Sequence, residues 1–112
     1  MSEQRVVYAG GVAIGNLLPF VLIAGPCQIE SVGHALEVAA ALDEICTAAD
    51  VPLIYKSSYD KANRTSAGAA RGVGMKRGLA ILAQVRQRYG RPVLTDVHGP
   101  EQCAPAATSR SV

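Results

Sequence analysis

Lys56, Lys61 and Arg64 crowd three cations into one short stretch, interleaved with Ser57, Ser58, Asn63, Thr65 and Ser66. Fixed positive charges among hydroxyl and amide donors suit the phosphate and carboxylate groups of small metabolites. The competing reading is a solvated loop whose charges face water. Position separates the two, because Lys56 ends an apolar run (VPLIY) that reads as a buried strand. Asp96 and His98 follow a similar run, PVLTDV. A carboxylate there can accept hydrogen bonds from sugar hydroxyls, and a nearby imidazole can relay a proton or orient a water. The plainer alternative is an Asp that caps the next helix beside a His with no task. Cys27 follows Gly25-Pro26 at the end of a third apolar run, FVLIA. It reads as a metal ligand, a nucleophile or a packed thiol. No adjacent base supports the nucleophile, and the burial habit of free cysteines favours packing. His34 has no partner that the sequence names.

These groups need elements to place them. Val6–Ala9 and Val12–Ile14 flank Gly10-Gly11, the pattern of a β-hairpin. Phe20–Ala24, Val51–Tyr55 and Pro92–Val97 are short apolar runs, as in strands buried on both faces of a parallel sheet. Between them, Ala35, Val38, Ala39, Leu42, Ile45, Cys46 and Ala49 make one helical stripe, with Ser31 as N-cap and Asp50 as the end. Met75, Leu79, Leu82, Val85 and Tyr89 make a second, stopped by Gly90. Pro100 is placed to open a third helix. The order hairpin, β, α, β, α, β predicts an α/β protein with a parallel sheet. Right-handed crossovers put the ends of all three strands, with Cys27, Lys56 and Asp96, on one rim. Three such units make part of a sheet or barrel.

The 112 residues, 49% hydrophobic and 18% charged, predict one small globular domain, and a net charge of +2 is too small to argue for a nucleic-acid or membrane partner, neither of which is expected. The cysteines (Cys27, Cys46, Cys103) match neither zinc-finger nor CxxC spacing, so reduced thiols and a cytoplasmic location are expected. Val6–Ile29 carries no charge and invites comparison with a signal or membrane segment. Gly10, Gly11, Gly15, Asn16, Pro19, Gly25 and Pro26 interrupt it, and each mid-helix proline costs roughly 3 kcal/mol, so a continuous apolar helix is not expected.

Taken in order, AGPCQIES, YKSSYDKANRTS, RGVGMKRGL and PVLTDVH resemble the motifs of the 3-deoxy-D-manno-octulosonate-8-phosphate synthase (2-dehydro-3-deoxyphosphooctonate aldolase) family, from about residue 20 to 107. KANR is the specific part. The related 3-deoxy-D-arabino-heptulosonate-7-phosphate synthases, which tend toward KPRTS there, are the alternative, and a non-catalytic remnant is a third reading. The resemblance implies the N-terminal portion of a (β/α)8 TIM barrel preceded by a β-hairpin: residues 1–19 the hairpin, 20–107 three βα units, 108–112 a tail unlike the family. It implies condensation of phosphoenolpyruvate with arabinose 5-phosphate, for a lipopolysaccharide sugar, by a cytoplasmic homo-oligomer. It implies phosphoenolpyruvate at Lys56, Ser58 and Lys61, and arabinose 5-phosphate at Asn63, Arg64, Thr65 and Asp96. Lys61, Asp96 and His98 are then the catalytic groups, and Cys27 a ligand of a divalent metal, reversing the packed-thiol reading. Gly99 and Val73 stand where the family has Glu and Pro. A complete barrel takes about 250 residues. A shortened or shifted reading frame, with no catalysis by the chain alone, is therefore expected, the other metal ligands lying outside it.

Overall fold

The computed structural model describes residues 5–60 and 73–108. β1 (Val6–Ala9) and β2 (Val12–Gly15) pair antiparallel, with Ala9 opposite Val12, so Gly10-Gly11 is a two-residue turn. Gly10 takes φ +58°, which a two-residue hairpin demands at its first central position and glycine supplies without a Cβ penalty. The turn reaches the far end of the second sheet: a Cβ on Gly10 would meet the Pro92 ring at 3.0 Å.

That second sheet is parallel, with β3 (Leu22–Ala24), β4 (Leu53–Lys56) and β5 (Val93–Leu94) side by side in chain order. The strands are shorter than the apolar runs that signal them. Phe20 lies outside β3 and is 70% exposed, and β5 is two residues rather than six. Hydrogen bonds continue the ladder past the strands, from Ile29 N–H to the Ser58 carbonyl (2.8 Å) and from Ser57 N–H to the Leu94 carbonyl (3.2 Å).

α1 (Val32–Ala49) begins as its cap predicts. The Ser31 hydroxyl accepts from the His34 N–H at 3.1 Å. It ends at Asp50 in the left-handed region (φ +55°), whose N–H reaches back to the last-turn carbonyls. α2 (Met75–Tyr89) ends at Gly90 in the same conformation. Both helices lie on one face of the sheet. The register aligns Ala24, Tyr55 and Val93 in a row, and the latter two join Ala35, Ala39, Leu82 and Val85 in the core. Tyr55 spans the layers, its hydroxyl donating to the Ala35 carbonyl at 3.2 Å. Burial pushes that hydroxyl up to about 12. On α1 the stripe is narrower than its sequence suggests, since Ala35, Ala39 and Cys46 are buried but Ile45 is 61% exposed and Ala49 is exposed. Arg91, entering β5, ties this layer from outside: its Nε donates to Asp43 at 2.8 Å and its Nη2 to Thr47 at 2.9 Å.

Side chains alternate along a strand, so Ile23, Ile54 and Lys56 share the other face. Ile54 is buried while Ile23 is half exposed. Both faces being apolar is the mark of a parallel sheet. After β5 the chain forms a 3-10 turn (Pro100–Gln102) and a short α3 (Cys103–Thr108), so Pro100 does open a helical segment. Among the described residues the sheet has three strands and no closed barrel is formed. No helix there is long and apolar enough to cross a membrane, and Val6–Ile29 is folded as hairpin, strand and loop.

Candidate active site

The C-terminal ends of β3, β4 and β5 lead into the candidate residues, and they are stitched side by side. Gly25 follows β3 where a Cβ would collide with the Lys56 carbonyl, so only glycine lets the first rim segment approach β4 this closely. Beyond it, Ser57 Oγ donates to the Pro26 carbonyl at 2.6 Å, Ser58 N–H to the Cys27 carbonyl at 3.4 Å, and Gln28 bridges Ser58. On the other side Thr95 Oγ1 donates to the Ser57 carbonyl at 2.8 Å, and the Ser58 hydroxyl donates to Asp96 Oδ1. Ser57 and Ser58 are completely buried, so their polar groups require the partners that the neighbouring strands provide.

Cys27, Ser58 and Asp96 therefore lie on three consecutive, mutually hydrogen-bonded segments, as the predicted rim requires. Asp96 does not cap the following helical turn, whose N-cap is Gly99. It is half-buried and accepts from Ser58. His98 is not idle either: its Nε2 sits 2.6 Å from the Asp60 carbonyl oxygen and 3.7 Å from Asp96 Oδ2. Lys56, half-buried, ends β4 on the face opposite Tyr55. Lys61, Asn63, Arg64 and Thr65 lie outside the described residues.

Cys27 is exposed in this structure, whereas Cys46 is the packed thiol, 2% exposed. Among the described residues no three His, Cys, Asp or Glu side chains gather where they could hold a metal ion. These residues do not by themselves fit a metal centre. Cys27 would be one ligand where a catalytic site of the zinc kind uses about three from the protein. His34 has a neighbour that its sequence context did not name, with Nδ1 at 3.5 Å from Glu30, just before the α1 N-cap.

Two residues of the site escaped sequence reasoning. Tyr59 is 1% exposed, and its hydroxyl donates to Gln102 Oε1 at 2.7 Å. The same oxygen accepts from the His98 N–H at 2.8 Å. Burial first, then the negative charges of Asp96 and Asp60, raise the Tyr59 hydroxyl above its ordinary range. A lone aromatic inside the polar stretch KSSYDK was the available signal for Tyr59. Gln102 had none, since its partners become neighbours only when the chain turns after β5.

Comparison with known proteins bears on the family. A protein of Granulibacter bethesdensis named 2-dehydro-3-deoxyphosphooctonate aldolase is 64% identical over 106 residues, covering 95% of this chain and 38% of the relative. Relatives of the same name from a Bradyrhizobium species and from Rhodopseudomonas palustris are 58% and 62% identical over 107 residues. The chain spans about 38% of the length of the curated relatives it matches. Residues 2–112 match the DAHP synthetase I family, and the chain belongs to that family.

Proposed function

We propose that this chain supplies the part of a 3-deoxy-D-manno-octulosonate-8-phosphate synthase that grips phosphoenolpyruvate and arabinose 5-phosphate. The observation that carries this reading is the Ser58–Asp96 hydrogen bond beside Lys56, which joins the proposed binding residues of both substrates at one strand rim. Its support from outside the geometry is the shared name of the relatives.

In the proposed reaction the methylene carbon (C3) of phosphoenolpyruvate bonds to the aldehyde carbon of the sugar, whose oxygen takes a proton. Water adds at C2, the carbon that bears the phosphate ester, gives up a proton, and inorganic phosphate leaves. Both substrates are anionic, so holding them together requires cations that offset their repulsion. Lys56, Ser58 and Lys61 serve the phosphoenolpyruvate end. Asn63, Arg64 and Thr65 serve the sugar phosphate. Asp96 accepts from the sugar near its reacting carbonyl, and His98 moves or holds a proton there. Cys27 is proposed as one ligand of a divalent metal whose other ligands lie outside the described residues; such a metal would polarise the aldehyde or a water. A cytoplasmic homo-oligomer acting in lipopolysaccharide sugar synthesis, the 112-residue chain alone being inactive, completes the proposal.

Titrating the purified chain with phosphoenolpyruvate, arabinose 5-phosphate and erythrose 4-phosphate, followed by NMR, tests it. Shifts at Lys56, Ser58 and Asp96 with phosphoenolpyruvate and with arabinose 5-phosphate are expected. Preference for erythrose 4-phosphate would transfer the assignment to the heptulosonate synthases, whose name the matched family carries. Release of phosphate by the 112-residue chain would refute its inactivity.

A further inference from the structure

Gln102 lies in the 3-10 turn after β5, and its carboxamide oxygen takes two donors at once, the Tyr59 hydroxyl and the His98 N–H. An amide N–H cannot accept, so the oxygen of Gln102 must be the end that faces His98. Tyr59 is a firm anchor. Its ring is buried, its carbonyl accepts from the Gly74 N–H at 3.2 Å, and α2 presses so closely that a Cβ on Gly78 would overlap the Tyr59 Cβ. On the far side of the turn, His98 Nε2 meets the Asp60 carbonyl at 2.6 Å. A carbonyl oxygen only accepts, so Nε2 carries the proton and Nδ1 is the nitrogen left to accept one. Asp60 directly precedes Lys61.

We propose that Gln102 is a positioning residue: clamped to Tyr59, it holds His98 in the Nε2–H tautomer against Asp60 and so sets the Asp96–His98 turn relative to the residue that leads into Lys61. This deepens the proposed function and rests on it, because the two segments joined are those assigned to the two substrates. One acceptor oxygen couples them.

The test uses the isotope-labelled 112-residue chain, with the His98 ring nitrogens read by long-range proton–nitrogen correlation and arabinose 5-phosphate binding read by titration. The parent chain should show the Nε2–H signature. Gln102→Leu should average the two tautomers and weaken arabinose 5-phosphate binding about five- to tenfold, as loss of an acceptor shared by two donors implies, while far-ultraviolet circular dichroism stays unchanged. Gln102→Glu, which keeps an acceptor oxygen, should restore the signature. If Gln102→Leu does not fold, Tyr59→Phe removes the anchor instead and should also average the tautomers. An unaltered His98 signature in whichever of these two variants folds would overturn the proposal. If no sugar phosphate or phosphoenolpyruvate shifts the parent chain, yet Gln102→Leu still scrambles the tautomer, the positioning role stands and the substrate reading fails.

Discussion

The Ser58 hydroxyl donates to the Asp96 carboxylate, joining the residue two places past the end of β4 to the residue two places past the end of β5. Ser58 is fully buried and its backbone is laddered to Cys27 and Ile29 on the other side. It is thus the middle of three rim segments, and its side chain orients a carboxylate that the proposed reaction uses. Ser58→Ala should lower stability by about 1.5–3 kcal/mol, the usual loss for a hydrogen bond to a charged acceptor. It should also weaken arabinose 5-phosphate binding several-fold. Urea unfolding and ligand titration on the same sample separate the two effects; unchanged affinity at reduced stability would remove Ser58 from the site.

Gly25 owes its identity to the Lys56 carbonyl that a Cβ would strike. The obstacle is backbone, which cannot swing aside as a side chain can. Gly25→Ala should therefore cost about 2–4 kcal/mol by overpacking and pry the Cys27 segment from β4. Amide hydrogen exchange at Ile29 and Ser58, which share the ladder, should accelerate more than exchange at Leu82 in α2. Equal protection in parent and variant would show that the rim tolerates the added methyl.

Tyr55 gives the fold an alkaline limit. Its hydroxyl ordinarily ionises near pH 10 and, buried under α1, only near about 12. Below pH 10 both folded and unfolded chains keep the proton, and the contribution of the neutral buried hydroxyl is fully present. As pH rises from 10 toward about 12 the unfolded chain releases the proton first, so stability falls by about 2–3 kcal/mol. Tyr59, raised in the same direction, adds to the decline. Denaturation midpoints at several pH values should drop across that window, and Tyr55→Phe should flatten the curve.

Ser31 caps α1 through its hydroxyl and the His34 N–H. Ser31→Ala should lower stability by about 1 kcal/mol, whereas Ser31→Asp should recover it, because a carboxylate accepts the same bond and suits the helix N-terminus. Thermal melts of the three proteins give the order. A Ser31→Ala chain melting with the parent would show that α1 is held by packing alone.

Much of the architecture was legible from local pattern. Gly10-Gly11 between two apolar pairs specifies its hairpin, because few other residues accept φ +58°. Ser31, Asp50 and Gly90 mark the helix ends through bonds made within a single turn. The apolar runs place three strands, and strand–helix alternation places Cys27, Lys56 and Asp96 on one rim. What periodicity leaves open is how far each run is paired, and which apolar residues are covered. β5 is only Val93–Leu94, and Ile45, on the predicted stripe, faces outward. Burial depends on which surface another element reaches, and that surface is assembled from distant segments.

Residue types and their spacing by themselves determined the alternation of strands and helices of a parallel α/β scaffold, because hydrophobic spacing and turn chemistry act over a few residues. Tertiary structure alone decided that Asp96 answers Ser58 rather than a helix cap, that His98 turns its Nε2 to Asp60, and that Tyr59 and Gln102 close the clamp between them. Each of those bonds links residues 38 to 43 positions apart, and a hydrogen bond a few ångströms long forms only after the strands have brought its ends together.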